Sequence, residues 1–196
     1  LFDPTQGEIR VDDKPIREFN LNQLRRSIGY VPQEVFLFSD TIENNVAFGL
    51  DLTKDNLKAV EEATKDAQVF NNIAEFPKGF QTELGERGIT LSGGQKQRLS
   101  IARALIKKPK ILIFDDCLSA VDTQTEERIL TNLKRIMRGR TSLIIYHRVS
   151  SVKHCDQIIV LDDGKIIERG NHAQLLSKKG VYSDLHQQQL LEEQEA

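Results

Sequence analysis

The sequence predicts an α/β fold built around a parallel sheet. Three uninterrupted apolar runs carry this prediction: residues 111–114, 142–146 and 158–161. Runs without polar alternation suit strands that are covered on both faces, as in parallel sheets. A segment with helical periodicity lies between the first two runs. The order strand, helix, strand therefore predicts a right-handed βαβ unit.

The helix of this unit has clear start and stop signals. Thr123 and Glu126 match a capping box, and Gly139 follows the last periodic residue. Apolar residues recur between them at helical spacing: Ile129, Leu130, Leu133, Ile136 and Met137. A helix that buries this stripe against the strands is therefore expected.

The first third is predicted to contain a small β portion and one strand of the core. Ile9 and Val11 alternate with charged residues, and residues 12–13 offer a turn back into a second strand. Residues 28–31 form a short strand that ends at Pro32, which cannot donate to a β-ladder.

Residues 41–107 are predicted to be mainly helical. Thr53 is a candidate cap for a helix, and Gly residues divide the region into loops. The shared helical face comprises Leu57, Val60 and Ala67, and the loop glycines are Gly79, Gly85 and Gly88.

The C-terminal end is predicted to contain a hairpin and one helix. Asp163 and Gly164 form a hairpin turn after the third apolar run, and Asn171 caps a short final helix.

Composition narrows the class of protein. A chain of 196 residues with 39% hydrophobic and 29% charged residues can bury the core of one ordinary domain. A net charge of -2 and a pI near 6.1 provide no global positive field, so nucleic acid is not an expected partner. No apolar run reaches the roughly eighteen residues that a membrane helix needs.

The numbers of cysteines and methionines give two further expectations. Cys117 and Cys155 are too few for a disulfide framework, so a reducing compartment is expected. The only methionine is Met137, so we expect the chain to be part of a longer polypeptide.

Asp115 and Asp116 follow a predicted strand and are candidates for metal and acid–base chemistry. Adjacent strand residues point to opposite faces, so the two carboxylates cannot do the same work. One carboxylate can hold Mg²⁺ in a nucleotide site, while the other must turn out of the strand to orient an attacking water. Two solvated aspartates at a strand end are the alternative.

Residues 91–95, Leu-Ser-Gly-Gly-Gln, precede a predicted helix whose buried face comprises Leu99, Ala102, Leu105 and Ile106. Ser92 is the predicted N-cap, and Gly93 and Gly94 expose backbone N–H groups at the positive end of the helix dipole. These groups can bind a phosphate. An ordinary loop-to-helix junction is the alternative.

His147 and Gln33 are weaker candidates, each at the end of a strand. An imidazole can donate to a phosphate oxygen, and an amide can coordinate a metal or a water. Either residue alone can equally be structural.

None of the twelve glycines lies in a G-x-x-x-x-G-K-[ST] phosphate loop.

Taken together and in this order, these segments resemble the nucleotide-binding domain of ABC transporters. The matching segments are Val31-Pro32-Gln33, residues 91–98 with the helix that follows, residues 111–116, residues 118–122 and His147-Arg148. The resemblance implies a P-loop NTPase (RecA-like) ABC ATPase core with a helical subdomain and a partial antiparallel β portion. The implied bounds are 1–33 for part of the β and core portion, 34–107 for the helical subdomain, and 108–196 for the RecA-like core and C-terminal helices.

Further segments resemble exporter-type members of the family. Residues 83–88, which begin with Glu83 and end with Gly88, look like the loop that contacts the transmembrane domains in exporters. Residues 40–46 and 164–172 also resemble the corresponding segments of exporter-type members. Exporters of this type carry the domain at the C-terminus of a longer polypeptide, and residues 1–4 resemble the segment just after the Walker A helix.

The resemblance implies a role for each matching residue. Asp115 is the Walker B aspartate on the Mg²⁺ side, and Gln33 contacts Mg²⁺ or water and senses the transmembrane domains. Ser92, Gly93, Gly94 and Gln95 belong to the motif that binds the γ-phosphate of ATP held by a second nucleotide-binding domain. Ser119 and Asp122 belong to the D-loop across that dimer, and His147 is the switch histidine.

Two positions depart from the family pattern. Asp116 stands where a water-polarising glutamate is usual, and its side chain is one methylene shorter. This resembles one half of heterodimeric exporters with one weak and one competent site. Tyr146 stands where a small residue is common, and nothing in the sequence explains it.

The expected function is ATP binding and hydrolysis that powers export, at the cytoplasmic face of the inner membrane. The chain alone, without a phosphate loop, is expected to be soluble, to bind ATP poorly and to hydrolyse it negligibly. The alternatives are a soluble ABC ATPase without transmembrane domains and a non-catalytic module that only dimerises with a complete domain.

Overall fold

The structure, a computed structural model, describes residues 4–50, 56–85, 91–118, 121 and 123–195. The chain divides into two compact units, residues 1–143 and 144–196. Within the described residues, no helix is both long enough and apolar enough to cross a bilayer.

The first unit opens with the predicted β portion. Strands β1 (Arg10–Val11) and β2 (Lys14–Pro15) pair antiparallel. The turn between them places Asp12 and Asp13 at φ values of 48° and 61°, as a type I′ turn requires. A 3₁₀ turn (Ile16–Glu18) and helix α1 (Leu21–Ser27) follow. Asn20 caps α1, which the sequence analysis missed.

The parallel core confirms the predicted strands. Strand β3 (Ile28–Val31) pairs in parallel with β4 (Ile111–Asp115), with Ile28 opposite Ile111 and Val31 opposite Phe114. The sheet continues to β5 (Thr141–Ile145) in the order β3-β4-β5. The expectation that this run is covered on both faces is wrong, because Leu143 and Ile145 are 54% and 46% exposed. Helix α6 (Thr123–Met137) connects β4 to β5, and its residues Ile129 and Leu133 are buried.

The helical region between β3 and β4 is also confirmed. Its helices are α2 (Ile42–Val46), α3 (Asn56–Asp66), α4 (Phe70–Ala74) and α5 (Gly93–Leu105), with a 3₁₀ turn at Gly79–Gln81. Val60 and Ala67 are buried as expected, whereas Leu57 is 45% exposed. Thr53 and Gly88 lie outside the described residues.

The second unit contains a hairpin and three helices among its described residues. The elements are α7 (Val149–Val152), β6 (Ile158–Asp162), β7 (Lys165–Gly170), α8 (His172–Lys178) and α9 (Val181–Glu195). Asp163 and Gly164 form the predicted turn at φ values of 44° and 72°. Asn171 caps α8 with a capping box, but α8 is not the final helix because α9 follows.

The expectation that the third apolar run is a covered strand of a parallel sheet is wrong. Strand β6 pairs antiparallel with β7, and its Ile159 and Leu161 are 46% and 66% exposed. An apolar run without alternation identifies a strand, but it does not identify the neighbour of that strand. The short Asp163-Gly164 turn makes β7 the neighbour, since a two-residue loop joins antiparallel strands.

Gly29 allows β3 to lie directly against the end of α5 and the segment after it. A Cβ atom at this position would lie 2.7 Å from Pro109 Cγ and 2.9 Å from the carbonyl oxygen of Ala104. The latter is a backbone atom and cannot move without shifting its helix. Only glycine therefore fits between the strand and the helix.

We expect Gly29→Ala to lower the free energy of unfolding by about 1–3 kcal/mol, the usual cost of overpacking. Gly85→Ala is the matched control, because a Cβ at Gly85 meets no atom within 4 Å. Urea denaturation followed by circular dichroism measures both variants. Equal stability of the two variants would contradict the close approach.

Candidate nucleotide-binding site

The parallel pairing of β3 with β4 brings two predicted site segments to one edge of the sheet. Gln33 lies just beyond the end of β3, and Asp116 lies just beyond the end of β4. The Gln33 side-chain amide donates a hydrogen bond from Nε2 to Asp116 Oδ2 at 3.3 Å. Two residues that are 83 positions apart in the chain are thus in contact.

Asp115 and Asp116 accept hydrogen bonds from different residues. The Tyr30 hydroxyl, from β3, donates to Asp115 Oδ2 at 3.1 Å. Burial raises the pKa of the Tyr30 hydroxyl, and the hydrogen bond and negative charge of Asp115 raise it further. Tyr30 is a site residue that the sequence analysis missed. Its place in β3, three residues before Gln33, was the available signal.

The two carboxylates are separated by the backbone conformation of Asp116. Asp115 ends β4 in extended conformation, whereas Asp116 has a φ of 42°, in the left-handed region. Aspartate adopts this region more readily than most residues other than glycine. Asp116 is also buried, with 8% of its surface exposed. The expectation that one carboxylate turns out of the strand is confirmed.

Two buried residues hold this turn in place. Cys117 and Leu118, directly after Asp116, are 0% and 1% exposed. Burial raises the pKa of the Cys117 thiol to about 12, and the negative charges of Asp116, Asp115 and Glu126 add to this effect. The thiol is therefore neutral near pH 7 and acts as an apolar anchor.

The start of α5 has the predicted capping geometry. Ser92 Oγ accepts from the Gln95 backbone N–H at 3.2 Å, and Gln95 Oε1 accepts from the Ser92 N–H at 2.9 Å. Ser92 and Gly93 are exposed. The capping box uses the side chain of Gln95 and orders the loop, while the exposed surface of Ser92 and Gly93 stays accessible to a ligand.

Arg98 ties the first turn of α5 to α4 and to the loop before α4. Its Nε donates to the Gly94 carbonyl at 3.1 Å, and its Nη1 donates to Asn72 Oδ1 at 2.9 Å and to the Gln68 carbonyl. The position of Gly94 therefore depends on the packing of the helical region as well as on its own cap.

Arg103 connects α5 to the segment that follows Gln33. Its guanidinium donates to the Phe36 carbonyl, the Asn45 carbonyl and Asn45 Oδ1, each at 2.8 Å. Asn45 is 1% exposed and also bonds the backbone of Phe38 through its side chain. Burial lowers the pKa of Arg103, although arginine keeps its charge in proteins.

His147 lies in the second unit, just after β5, with an exposed side chain. Its backbone carbonyl accepts from Gln189 Nε2 at 2.8 Å. The proximity of His147 to Gln33 and Asp115 stays a prediction. Ser119 and Asp122 lie outside the described residues, as do residues 86–88 of the predicted exporter loop.

The described start of that loop lies beside α2. Glu83 forms an isolated antiparallel bridge with Thr41, and the Leu84 N–H donates to the Asp40 carbonyl at 2.9 Å. Thr41 is the N-cap of α2. The loop is thus joined through the backbone to the segment downstream of Gln33.

The metal ligands available at this sheet edge suit a magnesium ion that a nucleotide also binds. Within the described ranges, no group of three or more His, Cys, Asp or Glu side chains is placed to hold a metal. Mg²⁺ does not need such a group, because it typically binds one or two carboxylates together with substrate phosphates and waters. Asp115 and the Gln33 amide are donors of this kind.

These elements match a known family. A family model described as "ABC transporter" matches residues 1–119, and the chain belongs to this family. The chain is 50% identical over 186 residues to the ABC transporter ATP-binding protein YknU of Bacillus subtilis, covering 95% of this chain and 32% of that protein. It is 48% identical over 181 residues to an ATP-dependent lipid A-core flippase of Pseudomonas fluorescens, covering 92% and 30%.

A solved structure supports the fold. The structure of a bacterial Atm1-family ABC exporter with ATP bound aligns with a TM-score of 0.91 at 42% identity, over 96% of this chain and 33% of that chain. The ABC ATPase fold predicted from the sequence is therefore confirmed. The chain spans about a third of the length of the relatives it matches. These relatives favour the transporter interpretation over a soluble ATPase.

We expect iodoacetamide at pH 8 to modify Cys155 well before Cys117 in the folded protein. Both thiols have raised pKa values because of burial, but Cys117 is fully buried and Cys155 only partly so. Peptide mass spectrometry measures the two rates. In urea the rates should become similar, and fast labelling of Cys117 in the folded protein would show that the Asp116 turn is open.

Proposed function

We propose that the chain belongs to the ATP-binding and ATP-hydrolysing domain of an exporter-type ABC transporter, and that without a phosphate loop it is inactive alone. The contact between Gln33 and Asp116 beside the Tyr30–Asp115 hydrogen bond is the observation that carries this proposal. It joins two strand ends that lie within the matched residues 1–119 and to which the family resemblance assigns the nucleotide site. The domain bounds 1–33, 34–107 and 108–196 belong to the same proposal.

In this proposal Asp115 and Gln33 bind Mg²⁺, and ATP supplies the remaining ligands through its phosphates. The bound ion would neutralise charge on the phosphates during transfer. Asp116, turned away from Asp115, orients the attacking water and accepts its proton. The Gln33 amide contacts Asp116 and so holds that carboxylate toward the same site.

The exposed start of α5 is proposed to bind ATP held by a second nucleotide-binding domain. Ser92, Gly93 and Gly94 present a hydroxyl and backbone N–H groups at a helix N-terminus, where an anion is stabilised. Gln95 keeps this loop ordered through the capping box. Ser119 and Asp122 are proposed to contact the partner across the same interface.

His147 is proposed to donate a hydrogen bond to the γ-phosphate. The transmembrane domains of the same transporter are proposed to contact Gln33 and residues 83–88. The bridge between Glu83 and Thr41 supports this for residues 83–88, because it joins the start of that loop to the N-cap of α2. The domain would then act at the cytoplasmic face of the membrane, without a nucleic-acid partner.

We expect Asp116→Glu in the intact transporter to raise ATP turnover at this site on the order of ten- to hundredfold, because about 1 Å of reach is restored toward the water. Asp116→Asn is the matched control. It keeps the size of the side chain but removes the base, so it should show no gain in turnover. Phosphate release under saturating ATP measures both. An unchanged rate in Asp116→Glu would contradict the argument that the shorter side chain of Asp116 limits turnover at this site.

We expect Ser92→Arg to abolish ATP-dependent association with a second nucleotide-binding domain, because a long side chain fills the space of the phosphate. Ser177→Arg adds the same charge and bulk on the exposed surface of α8 and should leave association intact. Size-exclusion chromatography with and without ATP, in a hydrolysis-deficient background, separates the two. Association that survives Ser92→Arg would remove the start of α5 from the interface.

A further inference from the structure

Helix α7, which begins just after His147, has no side-chain cap at its own N-cap position. Strand β5 ends at Ile145, and α7 begins at Val149. Arg148 occupies the N-cap position of α7 and makes no side-chain cap hydrogen bond. Its guanidinium has no acceptor atom for the N–H groups at a helix start. Any protein acceptor for the first N–H of α7 therefore comes from elsewhere in the chain.

Gln189, on α9, supplies both partners that the turn needs. Its Oε1 accepts from the Val149 N–H at 2.7 Å, and its Nε2 donates to the His147 carbonyl at 2.8 Å. One planar amide thus bonds the backbone on both sides of Arg148. This pair of bonds restrains the carbonyl of His147 and the first N–H of α7 at once.

The helix that carries Gln189 is itself held in place within the second unit. Tyr182, in the first turn of α9, is 2% exposed and packs in one apolar cluster with Val149 and Leu175. The Tyr182 N–H donates to Glu168 Oε2 at 3.2 Å, and its hydroxyl lies 2.8 Å from His172 Nδ1. Gln189 therefore projects from an anchored helix.

We propose that Gln189 is a positioning residue that holds the backbone of His147 in the conformation needed to reach the γ-phosphate. This inference rests on the proposed function for the role of His147, while the two hydrogen bonds stand without it. Small misplacements of a reacting group lower rates strongly, on the order of a hundredfold for 1 Å. Gln189 contacts only the backbone of His147 and is not itself a catalytic residue.

The first experiment compares Gln189→Leu with Gln187→Leu in the intact transporter. Gln187 is exposed on the same helix, so its replacement controls for the loss of an amide at a neighbouring position. We expect Gln189→Leu to lower kcat for ATP hydrolysis about tenfold or more, with KM for ATP and the thermal unfolding midpoint nearly unchanged. Equal kcat values for the two variants would overturn the proposal.

A second comparison separates positioning from general damage. In a His147→Ala background, Gln189→Leu should lower kcat by less than twofold, because the side chain that it positions is already absent. A full tenfold fall in that background would mean that Gln189 acts through stability, and the proposal would be wrong. Where Gln189→Leu does not fold, Gln189→Glu replaces it, since a carboxylate still accepts from Val149 but cannot donate to His147.

A measurement that does not depend on ATP hydrolysis distinguishes the positioning role of Gln189 from the proposed function of His147. Hydrogen exchange of the Val149 amide should accelerate at least tenfold in Gln189→Leu and stay unchanged in Gln187→Leu. Unchanged exchange in Gln189→Leu overturns the positioning role whatever the activity. The other outcome is that exchange accelerates in Gln189→Leu while His147→Ala leaves ATP hydrolysis unchanged. That result would refute the proposed function of His147.

Discussion

The parallel pairing of β3 with β4 is the constraint on which the site depends. It places the ends of two strands side by side, so that Gln33 contacts Asp116 and Tyr30 contacts Asp115. Gly29 permits the pair to lie close against the end of α5. Without this pairing the polar residues after each strand would be unrelated loop residues, separated by the whole helical region.

The second requirement is a set of partly buried polar contacts that hold the loops to the helices. The guanidinium of Arg103 satisfies backbone carbonyls and the Asn45 side chain, and Arg98 does the same at the start of α5. Such bonds are strong in a buried environment and costly to leave unmade. They make the segment after Gln33 and the start of α5 parts of one packed region.

Much of the fold was predictable because its signals are local. The strand bounds of β3 and β4, the Ser92 and Asn171 caps, the Gly139 end of α6 and the Asp163-Gly164 turn all follow from residues within a few positions of each element. The missed elements show where local signals are weak. Helix α7 has no capping side chain of its own, and α9 mixes polar and apolar residues without a clear apolar stripe. The contacts of Tyr30 and Gln189 join distant positions, so no short pattern indicates them.

The sequence by itself determined the class of fold, the family resemblance and the residue types at the candidate site, because motif spacing and hydrophobic periodicity are properties of adjacent residues. Only the tertiary structure decided that Asp116 adopts a left-handed backbone conformation, that β6 stays half exposed, and that Gln189 supports the turn after His147. These outcomes depend on which segments meet in space, and burial and hydrogen bonding between segments select them. A carboxylate or an amide acquires its role only when the fold supplies its partner.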